Sequence, residues 1–449
     1  MADLEQYQIR GGSAAAIVAS CEAAIREGRL GPGDRLPTVR ALARAGGASP
    51  ATVASAYRTL QDRGLVIAEG RRGTRVAPQP PVSRAWIPGG PALALGPGIR
   101  DLRIGQPARA FLPDLRPALM RTPMPDVLPG RGIGHKVDRL LDLAAEQFGQ
   151  DGIDTANLAV VGGALDGVES VLQAHLARGD RVAVEDPTYP PFLDLLRALG
   201  ARPVPVPIDA EGLRPDAVEH VLARGVRALI VTPRAQNPTG AAMSVRRAAQ
   251  LREVLAGRDV LIVEDDHAGP IAGTDVQTLT AGGTASQWAV IRSVSKSLGP
   301  DLRLAVAAGD AETIARVEGR QALGRGWIST ILQHAVAALW DDAATTDLLA
   351  RARAAYAERR AALTDALGVH GIDVAAPSGL NVWVPVREES ATVEALLASG
   401  WAVAPGERFR LGTPPAIRIT IAELPAELAP DLAAAIAATR DLSTTAGGY

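Results

Sequence analysis

Between Leu158 and Ile291 the chain repeats one pattern five times: a short, largely apolar run, a polar or glycine-bearing loop, then a longer amphipathic stretch. The runs are Leu158 to Val161, Arg181 to Val184, Leu229 to Val231, Val260 to Val263 and Trp288 to Ile291, and helical periodicity follows at Asp166 to Ala177 and Tyr189 to Leu199. A run without polar alternation is what a strand buried on both faces needs, and a helix between strands returns the chain for parallel pairing. The pattern predicts an α/β domain with an open, mostly parallel sheet covered on both faces.

Several of these runs end in residues with chemistry. Val260-Leu-Ile-Val-Glu-Asp265-Asp266-His267 delivers carboxylates at a strand end, and Asp265 is placed to pair with a pyridinium nitrogen. Ala228-Leu-Ile-Val precedes Asn237-Pro238-Thr239-Gly240, whose amide is able to hydrogen-bond a phenolic oxygen. Val160-Val-Gly162-Gly163-Ala164 passes from strand to helix through paired glycines, so its amides form a phosphate cradle or a plain turn. After the fifth run comes Arg292-Ser293-Val294-Ser295-Lys296-Ser297-Leu298-Gly299-Pro300-Asp301-Leu302-Arg303. Lysine is rare in this chain, which has only Lys136 and Lys296 among 47 basic residues. A lysine kept where arginine serves for nearly every other cation suggests a task guanidinium cannot perform, such as losing a proton and attacking a carbonyl carbon. Ser293, Ser295 and Arg303 supply the hydroxyls and fixed cation that a phosphate-bearing aldehyde needs beside such an amine. Taken alone, the twelve residues fit a surface lysine in a serine-rich loop equally well.

The order of the motifs decides between these readings. Asn-Pro-Thr-Gly, then strand-Asp, then Ser-x-Ser-Lys followed by Arg resembles the fold-type I, aspartate-aminotransferase-like proteins that bind pyridoxal 5'-phosphate. The resemblance implies that Lys296 forms the Schiff base and that Asp265 holds the ring nitrogen. It further implies that Asn237 and His267 face the phenolic oxygen, Tyr189 stacks on the ring, and Gly163, Ala164, Ser293, Ser295 and Arg303 surround the phosphate. Arg418, in the strand-like run Ala416-Ile-Arg-Ile-Thr, matches the arginine that clamps a substrate or effector carboxylate; an arginine on an exposed edge strand is the alternative. His267 stands where the family usually has tyrosine, Arg292 and Ala305 replace common glycines, and Leu128 to Gly134 lacks the usual tyrosine that reaches the neighbouring subunit's phosphate. A long helix, Thr346 to Leu367, is expected to lead into a small C-terminal α+β subdomain containing strands at Asn381 to Pro385 and Ala416 to Thr420.

The first 76 residues read differently. Apolar residues recur at helical spacing from Ser13 to Gly28, Thr38 opens a second helix reaching about Arg44, and Ser49 with Pro50 opens a third ending near Gly64. Leu65 to Val76 follows as a hairpin with a basic, glycine-rich tip at Glu69 to Gly73, making a winged helix-turn-helix. The run Gly-Asp-Arg-Leu-Pro, then Arg, then Ser-x-x-Thr-Val-x-x-Ala-Tyr, then Gly-Leu-Val and Gly-Thr-x-Val resembles the GntR-type winged helix. That resemblance implies contacts to double-stranded operator DNA from Arg40, Ser49, Thr52, Arg71, Arg72 and Gly73, with Arg35 on a phosphate. Pro50 takes the place of an arginine common after the helix-three serine, leaving base reading to Arg40 or the wing.

A net charge of −2 excludes a globally basic nucleic-acid binder, yet residues 1–78 hold 11 Arg against 7 Asp and Glu, a local +4. Residues 77–98 form a proline- and glycine-rich linker, residues 99–440 the aminotransferase-like domain, and residues 441–449 a flexible tail. This order of parts resembles the MocR-type subfamily of bacterial regulators. The single Cys21 excludes an intramolecular disulfide framework, the six histidines show no metal-ligand spacing, and no apolar run is long enough to span a membrane, so a cytoplasmic protein is expected. The resemblance implies a homodimeric transcription regulator that senses pyridoxal phosphate, or an amino or vitamin-B6 compound bound through it. The alternatives are a working aminotransferase with an accessory DNA-binding module, and a regulator with a vestigial cofactor site.

Overall fold

The structure is a computed structural model and describes residues 13–26, 29–31, 33–62, 65–68, 73–77, 95–96, 98–123, 135–283 and 285–445. Arg71 and Arg72, most of the linker and the Leu128 to Gly134 segment therefore lie outside the described residues.

In the N-terminal module the capping signals act where the sequence places them. Helices α1 (Ala14–Arg26), α2 (Val39–Gly46) and α3 (Pro50–Asp62) are followed by β1 (Val66–Ala68) and β2 (Thr74–Val76), paired antiparallel with Val66 opposite Val76. The Thr38 side chain accepts from the Ala41 amide and Ser49 Oγ accepts from the Thr52 amide, each satisfying an N–H that the first helical turn leaves over. The Tyr57 hydroxyl donates to the Pro37 carbonyl at 2.7 Å, tying α3 to the turn before α2. Ile17, Val18, Leu42, Val53, Leu60, Val66 and Val76 close a core of their own around Cys21. Burial pushes the Cys21 thiol up to about 12, so it stays a protonated core residue.

The larger part opens with β3 (Arg100–Asp101), α4 (Leu115–Arg121) and α5 (Asp138–Gln150). It continues through β4 (Leu158–Val161), α6 (Ala164–His175), β5 (Arg181–Asp186), α7 (Pro190–Leu199), β6 (Arg202–Asp209), β7 (Gly212–Leu213), α8 (Pro215–Leu222), β8 (Ala228–Val231), α9 (Val245–Leu255), β9 (Leu261–Asp266), β10 (Trp288–Ser293) and β11 (Ala305–Gly309). Eight strands make one sheet in the order β4-β11-β10-β9-β8-β5-β6-β7. The run β10-β9-β8-β5 is parallel, as expected, whereas β11 is antiparallel to both β10 and β4. All five expected strands are present. Strands β6, β7 and β11 were not legible: β6 is broken up by Pro203, Pro205 and Pro207, and β11 is alanine-rich with little pattern.

Helices α10 (Ala311–Leu323) and α11 (Thr330–Trp340) precede α12 (Ala343–Val369), the long helix expected at Thr346 to Leu367. Beyond it lie β12 (Asn381–Pro385), α13 (Glu389–Ala398), β13 (Trp401–Ala402), β14 (Ala404–Pro405), β15 (Ala416–Thr420) and α14 (Ala429–Thr445). Strand order β12-β15-β14 puts β15 in the middle of its sheet, so Arg418 sits opposite Trp383 and Ala404 and is not on an edge. Strand β13 pairs in parallel with β3, bringing the start of the larger part beside the small sheet. Helix α14 continues five residues into the segment read as tail. Among the described residues no helix is long and apolar enough to cross a membrane.

Candidate active site and DNA-facing residues

The carboxyl ends of the parallel strands carry the site, as the twist and crossover rules of open α/β sheets require. Asp265, next to last in β9, is 4% exposed; its Oδ2 lies 3.5 Å from His267 Nδ1, while Oδ1 is buried without a hydrogen-bond partner among the described residues. A buried carboxylate oxygen left over in this way is costly unless it has a donor to receive. Behind it, the Glu185 carboxyl accepts from the Thr232 amide and the Gln236 side chain, and burial pushes it up to about 8. Gln236 in turn accepts from the Thr239 amide and hydroxyl, fixing the loop that holds Asn237. Gly240 closes this loop at φ 74°, where a side-chain carbon would meet the Ser378 and Asn381 carbonyls at 2.7 and 2.9 Å. Only glycine fits there.

Lys296 follows β10 and is half-buried, its amine donating to the Gly105 carbonyl at 2.6 Å and to Gln106 Oε1 at 2.9 Å. Burial, and then the nearby Arg418 cation, pull it from 10.5 down to about 8 against the opposing pull of Asp265. The other lysine, Lys136, donates to the Leu158 carbonyl and pairs with Glu318, holding fold and not chemistry. Ser293 Oγ donates to Ser295 Oγ at 3.0 Å and accepts from the Ser295 amide at 3.2 Å, which shapes the turn entering Lys296. Gly163 caps α6 at φ 103°, with Ala164 as the first helical residue, and a side-chain carbon on Gly163 would stand 3.5 Å from the Arg303 guanidinium. Arg303 is therefore placed over the α6 N-terminus, where amides and cation converge.

Arg418 is 6% exposed, lies 4.9 Å above the Phe409 ring, and donates to Asn237 Oδ1 at 3.3 Å and to the Arg103 carbonyl. Burial pulls it down to about 10, although it stays a cation at neutral pH. Three amides at Leu411, Gly412 and Thr413 donate to the Asp186 carboxylate and hold the loop after Phe409. Tyr189 packs edge-on against Phe192 at 5.5 Å, its hydroxyl pushed up by burial and by Asp265 and drawn down by Arg418 and Arg303. The structure thus brings Tyr189, Gly163, Asn237, Asp265, His267, Lys296, Arg303 and Arg418 into one neighbourhood.

Sequence reasoning missed the contacts made by Gly105, Gln106 and Phe409. Gly105-Gln106-Pro107 lacks a chemical residue pair to draw notice, and Phe409 meets Arg418 only through the fold. It also left Arg292 unexplained. That arginine binds Asp266 at 2.6 Å and Asp151 at 2.5 Å, Arg234 grips both Asp266 oxygens at 2.8 Å, and Phe148 stacks 4.7 Å from the Arg292 guanidinium. Asp266 points to the opposite face from Asp265 by strand alternation. A cavity of about 670 Å³ opens beside this cluster, lined by Arg234, Arg292, Trp340 and Arg353 among others, and neither Lys296, Asp265 nor Arg418 lines it.

On the N-terminal module Arg40 is exposed on α2, and exposed Ser49 at the start of α3 shares a 2.8 Å hydrogen bond with Thr52. Arg35 is exposed and bridges to Arg75 of the hairpin, and Gly73 enters β2 at φ 92°, with no atom of the described residues within 4 Å of where a side-chain carbon would stand. These residues present a hydroxyl pair, two guanidiniums and an unobstructed backbone outward, the donor types that contact DNA.

Residues 13–76 match the family of bacterial regulatory proteins called gntR, and residues 137–436 match aminotransferase class I and II. The chain is 38% identical over 422 residues to the vitamin B6 salvage pathway transcriptional repressor PtsJ of Salmonella typhimurium, covering 93% of this chain and 96% of that one. It is 28% identical to the pyridoxine biosynthesis regulator PdxR of Corynebacterium glutamicum, covering 77% and 76% of the two chains. Among solved structures, a kynurenine aminotransferase of Pyrococcus horikoshii superposes with TM-score 0.71 at 22% identity, over 77% of this chain and 91% of that one, a likeness of fold. The protein belongs to the MocR-type subfamily of GntR transcriptional regulators, a GntR winged helix fused to a fold-type I aminotransferase domain.

Proposed function

We propose that this regulator senses pyridoxal 5'-phosphate, or an amino compound held through it, and passes occupancy to operator DNA. The observation that carries the reading is the convergence of a lysine amine whose surroundings pull it down to about 8, a buried carboxylate oxygen without a donor among the described residues, and an arginine over a glycine-led helix N-terminus. These are complementary to the aldehyde, the ring nitrogen and the phosphate of that cofactor. When bound, it supplies an aldehyde carbon that condenses with amines. Lys296 is the amine that attacks, and its lowered pKa keeps a useful fraction neutral at physiological pH. Asp265 receives the ring N–H; Asn237 and His267 face the phenolic oxygen; Tyr189 covers the ring. Gly163, Ala164, Ser293, Ser295 and Arg303 hold the phosphate, and Arg418 takes a carboxylate on a partner amino compound. On the regulatory side we assign residues 1–76 to DNA, 77–98 to the linker and 99–440 to the sensor, with Arg35, Arg40, Ser49, Thr52, Arg71, Arg72 and Gly73 at the duplex. The relatives named for vitamin B6 salvage and pyridoxine biosynthesis support a B6-related effector. A module of net charge +4 gives modest affinity singly, which favours a homodimer on paired half-sites.

Arg418 and Lys296 together also suit transamination, the rival reading. Mixing the purified protein with pyridoxal phosphate separates the cases. A visible absorption band that borohydride removes, with the added mass on Lys296, and no sustained conversion of amino acid to keto acid, is expected. No band, or many turnovers per subunit without any change in operator affinity, contradicts the assignment.

A further inference from the structure

We infer that residues 103–106 are a strap that holds both Lys296 and Arg418 and must let go when either engages a ligand, with Gln106 as the positioning residue for the lysine amine. The inference rests on the reading of Lys296 as the attachment point for pyridoxal phosphate. Three of these four consecutive residues supply the contacts. Arg103 gives its carbonyl to Arg418, Gly105 gives its carbonyl to Lys296 at 2.6 Å, and Gln106 Oε1 takes the same amine at 2.9 Å. The fit is close, since a side-chain carbon on Gly105 would stand 3.3 Å from Arg418 Nη1.

Hydrogen counting shows why the strap responds. In condensation the amine lone pair forms the new carbon–nitrogen bond, and the carbonyl oxygen leaves as water with both hydrogens of the neutral amine. The lysine nitrogen then keeps no N–H, or one if it takes up a proton, and the two acceptors on the strap lose at least one donor. A carboxylate arriving at Arg418 competes in the same way for the guanidinium that the Arg103 carbonyl occupies. Acceptors partly withdrawn from water are unfavourable without donors, so the half-buried strap shifts toward conformations in which water or other donors reach them.

The strap's position in the chain gives that shift a destination. It follows β3 directly, and β3 is only two residues long, steadied by Arg100 and Leu102 amides donating to the Gly400 and Ala402 carbonyls and by the Thr420 amide donating to the Leu102 carbonyl. In the sequence, the linker expected at residues 77–98 precedes this strand. Downstream, the Ala108 amide donates to the buried Tyr356 hydroxyl at 2.9 Å, which fixes the far end. Strand β3 is the element on the linker side of the strap, held by those three backbone hydrogen bonds, and a release at Lys296 is passed toward the linker through it.

The test uses full-length protein and two readouts. First, hydrogen exchange of the peptide covering residues 100–108 is followed with and without saturating pyridoxal phosphate, absorbance being recorded on the same samples. Exchange on the order of tenfold faster once the band forms is expected, as a local opening produces. A band with unchanged exchange overturns the strap while leaving the cofactor reading intact; no band overturns both. Second, the pH midpoint of band formation is compared in wild type, Gln106→Leu and Gln106→Glu. A charge-assisted hydrogen bond favours the ammonium, so Gln106→Leu lowers the midpoint by about one unit and Gln106→Glu raises it. Equal midpoints in all three, each retaining native circular dichroism, overturn the positioning role, because a merely structural side chain does not move a titration in opposite directions.

Discussion

The pH dependence of cofactor capture follows directly from the surroundings of Lys296. Burial and the Arg418 cation lower its pKa from 10.5 to about 8. About one amine in eleven is then neutral at pH 7, about one in two at pH 8 and about ten in eleven at pH 9. The second-order rate of band formation should rise about fivefold from pH 7 to 8 and less than about twofold from pH 8 to 9. A solvated lysine, titrating at 10.5, gains about tenfold in each of those steps. Stopped-flow absorbance measures the rate, and a small free amine run in parallel divides out the aldehyde's own pH dependence. A tenfold rise at every step up to pH 9 would refute the claim that the fold tunes this lysine.

Further outcomes follow from the same geometry. Between about 8 and 10.5 the unfolded chain binds a proton at Lys296 that the folded chain has lost, so stability rises with pH across this window, by up to roughly 3 kcal/mol. Lys296→Met should lack that slope in urea unfolding at pH 8 and pH 10, and an equal slope in both proteins contradicts the assignment. Arg292→Ala leaves Asp151 and part of Asp266 unpaired and should cost about 3 kcal/mol in urea unfolding, with the cofactor band kept because the cluster faces away from Asp265. A cost below about 1 kcal/mol would mean that Arg234 alone satisfies Asp266. Arg40→Ala should weaken specific operator binding by about 1–3 kcal/mol in a mobility-shift assay if the side chain reads a base, and unchanged affinity removes it from the interface.

The sequence was most legible where local chemistry and fold agree. Five apolar runs became five strands because burial on both faces of a sheet leaves little choice of residue, and Thr38, Ser49 and Pro50 marked helix starts through the hydrogen bonds they satisfy or forgo. The positions of Asp265, Asn237, Tyr189 and Lys296 at or after strand ends were legible because the strands that precede them were; the roles given to them toward a cofactor are part of the proposal. Contacts that depend on distant segments were not readable. Gln106 meets Lys296 across 190 residues and Phe409 sits under Arg418 only because β15 and the loop held by Asp186 come together. Arg292 looked like a defect in the motif, yet it is one of four members of a network whose others lie on β9, in the loop after β8 and just past α5. His267 was expected to face the phenolic oxygen of a bound cofactor; in the structure its Nδ1 lies 3.5 Å from Asp265 Oδ2.

If occupancy at Lys296 changes how the winged helix holds DNA, one titration shows it. Operator affinity is measured for wild type and Lys296→Ala, each with and without saturating pyridoxal phosphate, at fixed salt because salt sets the phosphate contribution. Coupling between two sites in one protein commonly amounts to about 5- to 150-fold in affinity. A shift of at least about fivefold in wild type, largely lost in Lys296→Ala, is expected. The same affinity in all four measurements, or an equal shift in both proteins, would contradict it.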